Sequence, residues 1–234
     1  MDNAHLVTQL SPAQRRELED SLLAIILPRR VERMDAILDR RTRRLAVLFE
    51  DVYHPHNASA VIRSTECFGV QDIHVVEDTY HFRPSKDVVR GAGRWISLHR
   101  HQQLADALAS VKAQGYRVAA TSVQPGSINL DDVPVDTPLA LCFGTEELGL
   151  SEGAWEAADL HIHVPMEGFT ESLNVSVTAA LCLRELTRRI RLTDGWQLTP
   201  EEHADLRLTW LMQEGVKARA LTDRLLRGWE IAGL

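Results

Sequence analysis

The residues with chemistry in them fall in a few polar loops. "HNASAVIRS", 56–64, sets Asn57 and Arg63 six apart; "FGTEELGLS", 143–151, sets Gly144 just ahead of Glu146; "PMEGFTESLN", 165–174, brings Ser172 and Asn174 against an apolar Leu173. A further loop, "TSVQPGS", begins at Thr121. An Asn at the mouth of an apolar helix either caps that helix or holds something bound there. An Arg forks onto phosphate oxygens, or pairs with a carboxylate three along its helix, here Glu66. On one helix, six residues turn through about 600°, which leaves Asn57 and Arg63 roughly 120° apart. One can then cap and face the loop while the other points to a partner site. Glu146 reads equally as a site carboxylate or a surface one. The pairs His54/His56, His99/His101 and His161/His163 suggest zinc, since alternate residues of a strand share a face. They lack a third ligand at fixed spacing, so we read no metal site. Neither GxGxxG nor GxxxxGK[ST] is present, so an ordinary dinucleotide or P-loop assignment lacks its motif.

The elements that carry these loops alternate. "LAVLFEDV", "DIHVVE", "WISLHR", "YRVAATSV", "LALCFG" and "LHIHVPM" read as strands. Between them lie helical stretches: "NASAVIRSTECFG" with Asn57 as its N-cap, "QQLADALASVKAQG", a short helix capped by Ser151, and a long helix from about Ser172 to Leu192. Continuous apolar strands alternating with helices imply an α/β core with a mostly parallel sheet covered by helices on both faces. Ligands of such sheets bind outside the carboxyl ends of the strands, where the polar loops are. Before the core, Ser11-Pro12 starts a helical segment and Pro28 divides it in two; after it, Thr199-Pro200-Glu201-Glu202 starts another. The expected organisation is a helical N-terminal arm (1–43), a core (44–195) and a helical C-terminal extension (196–234).

Composition fits a soluble globular protein: 44% hydrophobic and 25% charged residues, and no apolar run near the ~20 residues of a membrane span. The N-terminus lacks the cationic start and apolar stretch of a secretory signal. Cys67, Cys142 and Cys182 sit in apolar surroundings without pair spacing, which predicts buried, reduced thiols and a cytoplasmic setting. A net charge of −7 argues against a nucleic-acid partner, but its distribution does not. All but Lys86, Lys112 and Lys217 of the 26 basic residues are Arg, with seven between Pro28 and Arg44 and a second group at Arg184, Arg188, Arg189 and Arg191. Such patches are compatible with RNA binding, and equally with solvated helix faces.

Taken together, "HNASAVIRS", "FGTEELGLS" and "PMEGFTESLNVSVTAAL" resemble, in order and spacing, the three motifs of the SPOUT superfamily of RNA 2′-O-ribose methyltransferases, and within it the TrmH family of tRNA guanosine-18 enzymes. The resemblance covers about residues 44 to 192. It implies S-adenosylmethionine as cofactor, a homodimer, and a trefoil knot formed by the last strand and helix, although chains do not ordinarily thread loops. It implies a cofactor pocket built by Val164, Met166, Ser172 and Leu173, with Thr121 and Gly144 from neighbouring strand ends. Loop backbone offers donors and acceptors to the edge of a purine, apolar side chains suit its faces, and Gly144 and Gly168 allow close approach and unusual dihedrals. The same likeness makes Arg63 the main catalytic residue, with Asn57, Glu146 and Asn174 organising the site. Because guanidinium stays protonated, we expect Arg63 to hold a phosphate beside the target ribose rather than act as a base. "RGAGRWI", 90–96, matches a Gly/basic/Trp loop of the family, with Arg94 toward RNA and Trp95 in the core.

Helical arms, with no separate α/β domain ahead of the core, fit a tRNA substrate bound through Arg29, Arg30, Arg40, Arg41 and Arg43. Glu147 and Phe169-Thr170-Glu171 depart from the guanosine-18 pattern. Methylation of another tRNA position or of rRNA, or a catalytically silent RNA-binding relative, are the alternatives. The silent relative would be expected to lack Arg63 or Asn174, and both are present. Apolar Val61, Ile62, Leu181 and Leu183 offer material for a dimer interface.

Overall fold

The computed structural model describes residues 3–51, 54–79, 81–89, 91–124, 126–145 and 148–229. The chain forms two compact units, one of Met1–Arg41 with Gln197–Leu234, the other of Thr42–Trp196.

The first unit is helical. Its N-terminal part has α1 (Asn3–Gln9), α2 (Pro12–Leu23) and α3 (Pro28–Leu38). Ser11 accepts from the Gln14 amide while the Gln14 side chain returns to the Ser11 amide, a capping box that satisfies two otherwise orphaned donors. Pro12 and Pro28 sit in first turns, where a missing N–H costs nothing.

In the second unit the order is β1 (Thr42–Glu50), α4 (Pro55–Cys67), β2 (Val70–Val76), α5 (Lys86–Val89), β3 (Ser97–His101), α6 (Leu104–Ala113), β4 (Arg117–Thr121), β5 (Ile128–Asn129), β6 (Leu139–Phe143), α7 (Glu152–Ala157), β7 (Leu160–His163) and α8 (Val175–Ile190). The strands form one sheet ordered β3-β2-β1-β6-β4-β7-β5, parallel at every pairing. Strand β5 was not among the expected strands. It is two residues long inside a polar loop, too short for a periodic signal, and exists because Ile128 pairs with Ile162 and Asn129 with His163.

Alternation along β1 assigns the layers. Leu45, Val47 and Phe49 face a core shared with Ala58 and Val61 of α4 and Leu183 and Leu186 of α8. Ala46 and Leu48 face the other side, with Ala107 and Val111 of α6 and Ala154 of α7. Register places Phe49 beside Phe143 and Thr121 beside Ile162, so β1, β6, β4 and β7 release their loops at one rim.

The chain returns to the first unit with α9 (Pro200–Met212) and α10 (Gly215–Gly228), α9 opening on a second capping box, Thr199 with Glu202. Arg207 of α9 pairs with Glu19 of α2 and Asp35 of α3, an arrangement that raises the guanidinium pKa through the Asp35 hydrogen bond first. Arg41, expected to meet RNA, is instead buried, its guanidinium 5.1 Å from the centre of the buried Trp210 ring. Sequence spacing shows a cluster of arginines but not which of them turns inward.

Candidate active site at the carboxyl rim of the sheet

The loop after β6 brings its start, Gly144 and Thr145, against Gly149. A Cβ on Gly144 would lie 2.0 Å from the Gly149 carbonyl oxygen, so this position excludes every other residue by proximity alone. Thr145 and Gly149 exchange backbone hydrogen bonds of 2.9 and 3.0 Å, and Gly149 adopts φ +70°, a conformation that side chains disfavour. Glu146 and Glu147 lie outside the described residues. Gly168 corrects an expectation: its φ is not positive, and the nearest atom to an added Cβ is 3.9 Å away, so neither dihedral nor contact requires glycine there.

The loop ends on Ser151, the N-cap of α7, whose hydroxyl accepts from the Ala154 amide at 3.1 Å. Glu50, the last residue of β1 and 8% exposed, receives the Ser151 amide at 2.8 Å and its hydroxyl at 2.5 Å. Sequence reading missed Glu50. Its signal was a carboxylate ending an otherwise apolar strand.

Across the rim, the chain after β7 runs into α8. Asn174 is the cap of α8, its Oδ1 accepting from the Ser176 amide at 2.9 Å and the Ser176 hydroxyl at 2.6 Å. The helix therefore starts after Asn174, and Ser172 is not its cap. The Asn174 Nδ2 donates to Asn57 Oδ1 at 3.2 Å, 117 positions away in sequence. Capping and long-range contact are thus two jobs of one side chain. Asn57 is not an N-cap: α4 begins at Pro55 behind His54, which places Asn57 in the first turn, where its Oδ1 accepts from Asn174. Arg63 lies further along α4 and is exposed. Among the described residues it makes no ion pair.

These segments enclose a cavity of about 630 Å³. Its wall holds Thr121, whose hydroxyl donates to the Cys142 carbonyl at 2.9 Å, together with Gly144, Val164 and Met166. Ser172, Leu173 and Asn174 close it from the α8 side, and Trp155 from α7, a residue the sequence reading did not single out. Asn57 and Arg63 are not part of this wall; Asn57 reaches it through Asn174. A second hollow of about 540 Å³ shares Val164 and Met166 and carries Phe169 and Glu171. The size and mixed lining of the larger cavity suit a nucleoside-sized ligand held largely by backbone.

The remaining candidates are spread more widely. Arg29 and Arg40 are exposed, and Arg30 donates to Glu214 at 2.7 Å. Arg43 lies 3.5 Å from the buried Asp72. Arg94 is exposed above Trp95, 5.0 Å from the ring centre, and Trp95 is half-buried rather than core. In the second arginine group, Arg189 donates to the Leu130 and Val133 carbonyls and Arg191 to that of Phe68, so both hold loops in place. Cys67 is exposed, whereas burial drives the Cys182 thiol up to about 12 and Cys142 higher still.

Of the paired histidines, His99 and His101 join His74 and Asp72 in a polar patch on β2 and β3. His99 Nε2 is 3.0 Å from Asp72 Oδ1, and His74 Nδ1 is 3.1 Å from His101 Nε2. Burial, then the neighbouring His99, lowers His74 to about 3 and keeps it neutral; His101 is lowered too. Among the described residues no group of three or more His, Cys, Asp or Glu is arranged to hold a metal ion, and no helix is long and apolar enough to cross a membrane.

A parallel α/β sheet with a backbone-built cavity at its carboxyl rim defines the class, and comparison with known proteins gives the family. Residues 44–184 match the SpoU rRNA Methylase family, and the chain belongs to it. It is 37% identical to a tRNA (guanosine(18)-2′-O)-methyltransferase of Borreliella burgdorferi over 77% of this chain and 84% of that protein. It is 36% identical to the enzyme of the same name from Thermus thermophilus, over 78% and 95%. Among solved structures it resembles the A. aeolicus TrmH/SpoU tRNA modifying enzyme, with TM-score 0.72, 27% identity, and 80% of this chain and 98% of that one covered. It also resembles an AdoMet-bound rRNA methyltransferase from Sinorhizobium meliloti, with TM-score 0.57, 26% identity, and 64% and 58% covered. The family resemblance read from the three motifs is thereby established.

Proposed function

We propose that this protein binds S-adenosylmethionine in the rim cavity and methylates a ribose 2′-hydroxyl of tRNA, at guanosine 18 of the D-loop. The observation that carries the reading is the Asn174–Asn57 hydrogen bond, which ties the cavity wall to the helix bearing Arg63. The curated relatives support tRNA and guanosine 18.

The residues present fit the cofactor. The close approach at Gly144 leaves backbone groups at the cavity edge, while Val164, Met166 and Leu173 offer apolar faces. Once bound, the cofactor supplies an electrophilic methyl on a sulfonium, so the protein's task is placement. Asn174 fixes the near end of the cavity. Arg63, always charged, holds a phosphate next to the target ribose and orients the hydroxyl, whose proton leaves to water or a phosphate oxygen.

A homodimer belongs to the same reading. Val61, Ile62 and Leu183, named as interface material, are buried inside the single chain. Exposed Val177 and Leu181, four apart on α8, make the better candidate edge. The family's knot through β7 and α8, and a cytoplasmic location, are parts of this proposal too.

The test is methyl transfer to an unmodified tRNA transcript, mapped by resistance to alkaline cleavage. A single protected step after guanosine 18 is expected. Protection elsewhere overturns the position, and no transfer to any RNA overturns the activity. Arg63→Lys retaining near-normal turnover at neutral pH would exclude bidentate positioning by Arg63.

A further inference from the structure

The cavity wall contains one large aromatic side chain that neither the motifs nor the family match assigns, Trp155. It is half-buried. Its ring lies on that of His161, centres 3.7 Å apart and planes 25° from parallel. His161 Nε2 is 3.0 Å from the Trp155 carbonyl oxygen, and since a carbonyl only accepts, that nitrogen carries the proton. The imidazole is thus bound to the backbone of the residue whose ring it backs. A second restraint acts on the helix itself. Ser151 caps α7 and is clamped by the buried Glu50 through both its amide and its hydroxyl. An indole fixed by its own helix start and by a stacked neighbour is set before any ligand arrives, and preorganisation of this kind lowers the entropic cost of binding.

The layers of the sheet decide which part of a ligand meets it. Asn174 caps α8, whose buried residues pack on the Phe49 side of the sheet. Trp155 is on α7, which packs through Ala154 on the Leu48 side. The cavity therefore passes over the strand ends from a polar end to an aromatic end. The reacting group has to lie at the polar end, where Asn174 meets Asn57 on the helix bearing Arg63. That leaves the aromatic end for the planar part of the ligand.

We propose that Trp155, backed by His161, is the stacking surface for the adenine ring of the methyl donor. This rests on the methyl-donor reading above. Base–aromatic stacking is worth about 1–3 kcal/mol on alanine substitution, so Trp155→Ala should weaken S-adenosylhomocysteine binding roughly 5- to 140-fold, while Trp155→Phe stays within a few-fold.

Calorimetric titration with S-adenosylhomocysteine and with 5′-methylthioadenosine tests the proposal. Both should lose the same factor in Trp155→Ala, because both carry the adenine. Emission gives a readout that does not depend on the alanine variant folding. Titration should perturb tryptophan fluorescence in the native protein, and Trp155→Phe, which keeps the other four tryptophans, should bind yet lose that change. Native binding with an unchanged affinity in Trp155→Ala overturns the assignment. So does a full emission change in Trp155→Phe. Failure of the native protein to bind either compound removes the methyl-donor reading itself, and the stacking surface with it.

Discussion

Asn174 shows how a single side chain can serve stability and chemistry through different atoms. Its Oδ1 caps α8, and its Nδ2 reaches Asn57. Asn174→Asp keeps an acceptor at the helix start, where negative charge is favourable, but sets two acceptors against each other at Asn57. The melting midpoint should therefore stay within about 3 °C, while methyl transfer falls at least ~10-fold, the order of one lost positioning contact. Asn174→Ala should lose both, with about 1 kcal/mol gone from the cap. An aspartate variant of full activity would remove Nδ2 from the mechanism. Gly144 is a different case, because its requirement is steric. With a Cβ 2.0 Å from backbone oxygen, Gly144→Ala has to displace the Gly149 backbone. Cofactor-product binding measured by calorimetry should drop sharply in that variant, whereas Gly168→Ala, with open space around it, should bind normally.

At the scale of elements, the helical unit separates two kinds of arginine that the sequence lists side by side. Arg41 is a core cation over Trp210. Arg29 and Arg40 are exposed. Arg41→Ala should destabilise the protein by about 2 kcal/mol, as for a desolvated cation–π contact, and leave the salt dependence of tRNA binding unaltered. Replacing Arg29 and Arg40 together should flatten the slope of log affinity against log salt by roughly 1–2, near the loss of one phosphate contact per residue. An unchanged slope would take the N-terminal arm out of the RNA interface. The second arginine group carries the same lesson, since Arg189 and Arg191 are occupied by carbonyls of their own unit.

For the whole molecule, acid stability follows from the histidine patch. His74 is surrounded by Asp72, His99 and His101, with Arg43 also at the Asp72 Oδ1, and stays neutral down to about pH 3 because burial penalises its charge. In the unfolded chain it takes up a proton below its ordinary value near 6.5, so protons favour unfolding throughout that window. Stability is fully present above about pH 6.5 and drains as pH falls toward 3, with a slope approaching 1.4 kcal/mol per pH unit. Denaturant midpoints between pH 7 and 5, where few carboxylates titrate, should decline in the native protein and decline less steeply in His74→Gln, where His101 leaves a residual slope. A second expectation concerns assembly. If the exposed α8 edge joins two copies, Leu181→Asp should convert a dimer to a monomer in light scattering, and a native protein that is already monomeric would dispose of the interface.

The sequence by itself determined the strand–helix alternation, the loops at the carboxyl rim and the three motif segments, because apolar periodicity and capping chemistry are local. It could not separate Arg41 from Arg40, find β5, or place Asn57 against Asn174. Each of those depends on what a residue meets after more than a hundred positions of chain, or on partners supplied by another strand. The same holds for the Trp155–His161 stack and the Glu50–Ser151 clamp, whose members announce nothing at their own spacing. Burial, and the choice of partner that burial forces on a polar or aromatic group, was decided only when the sheet closed its layers.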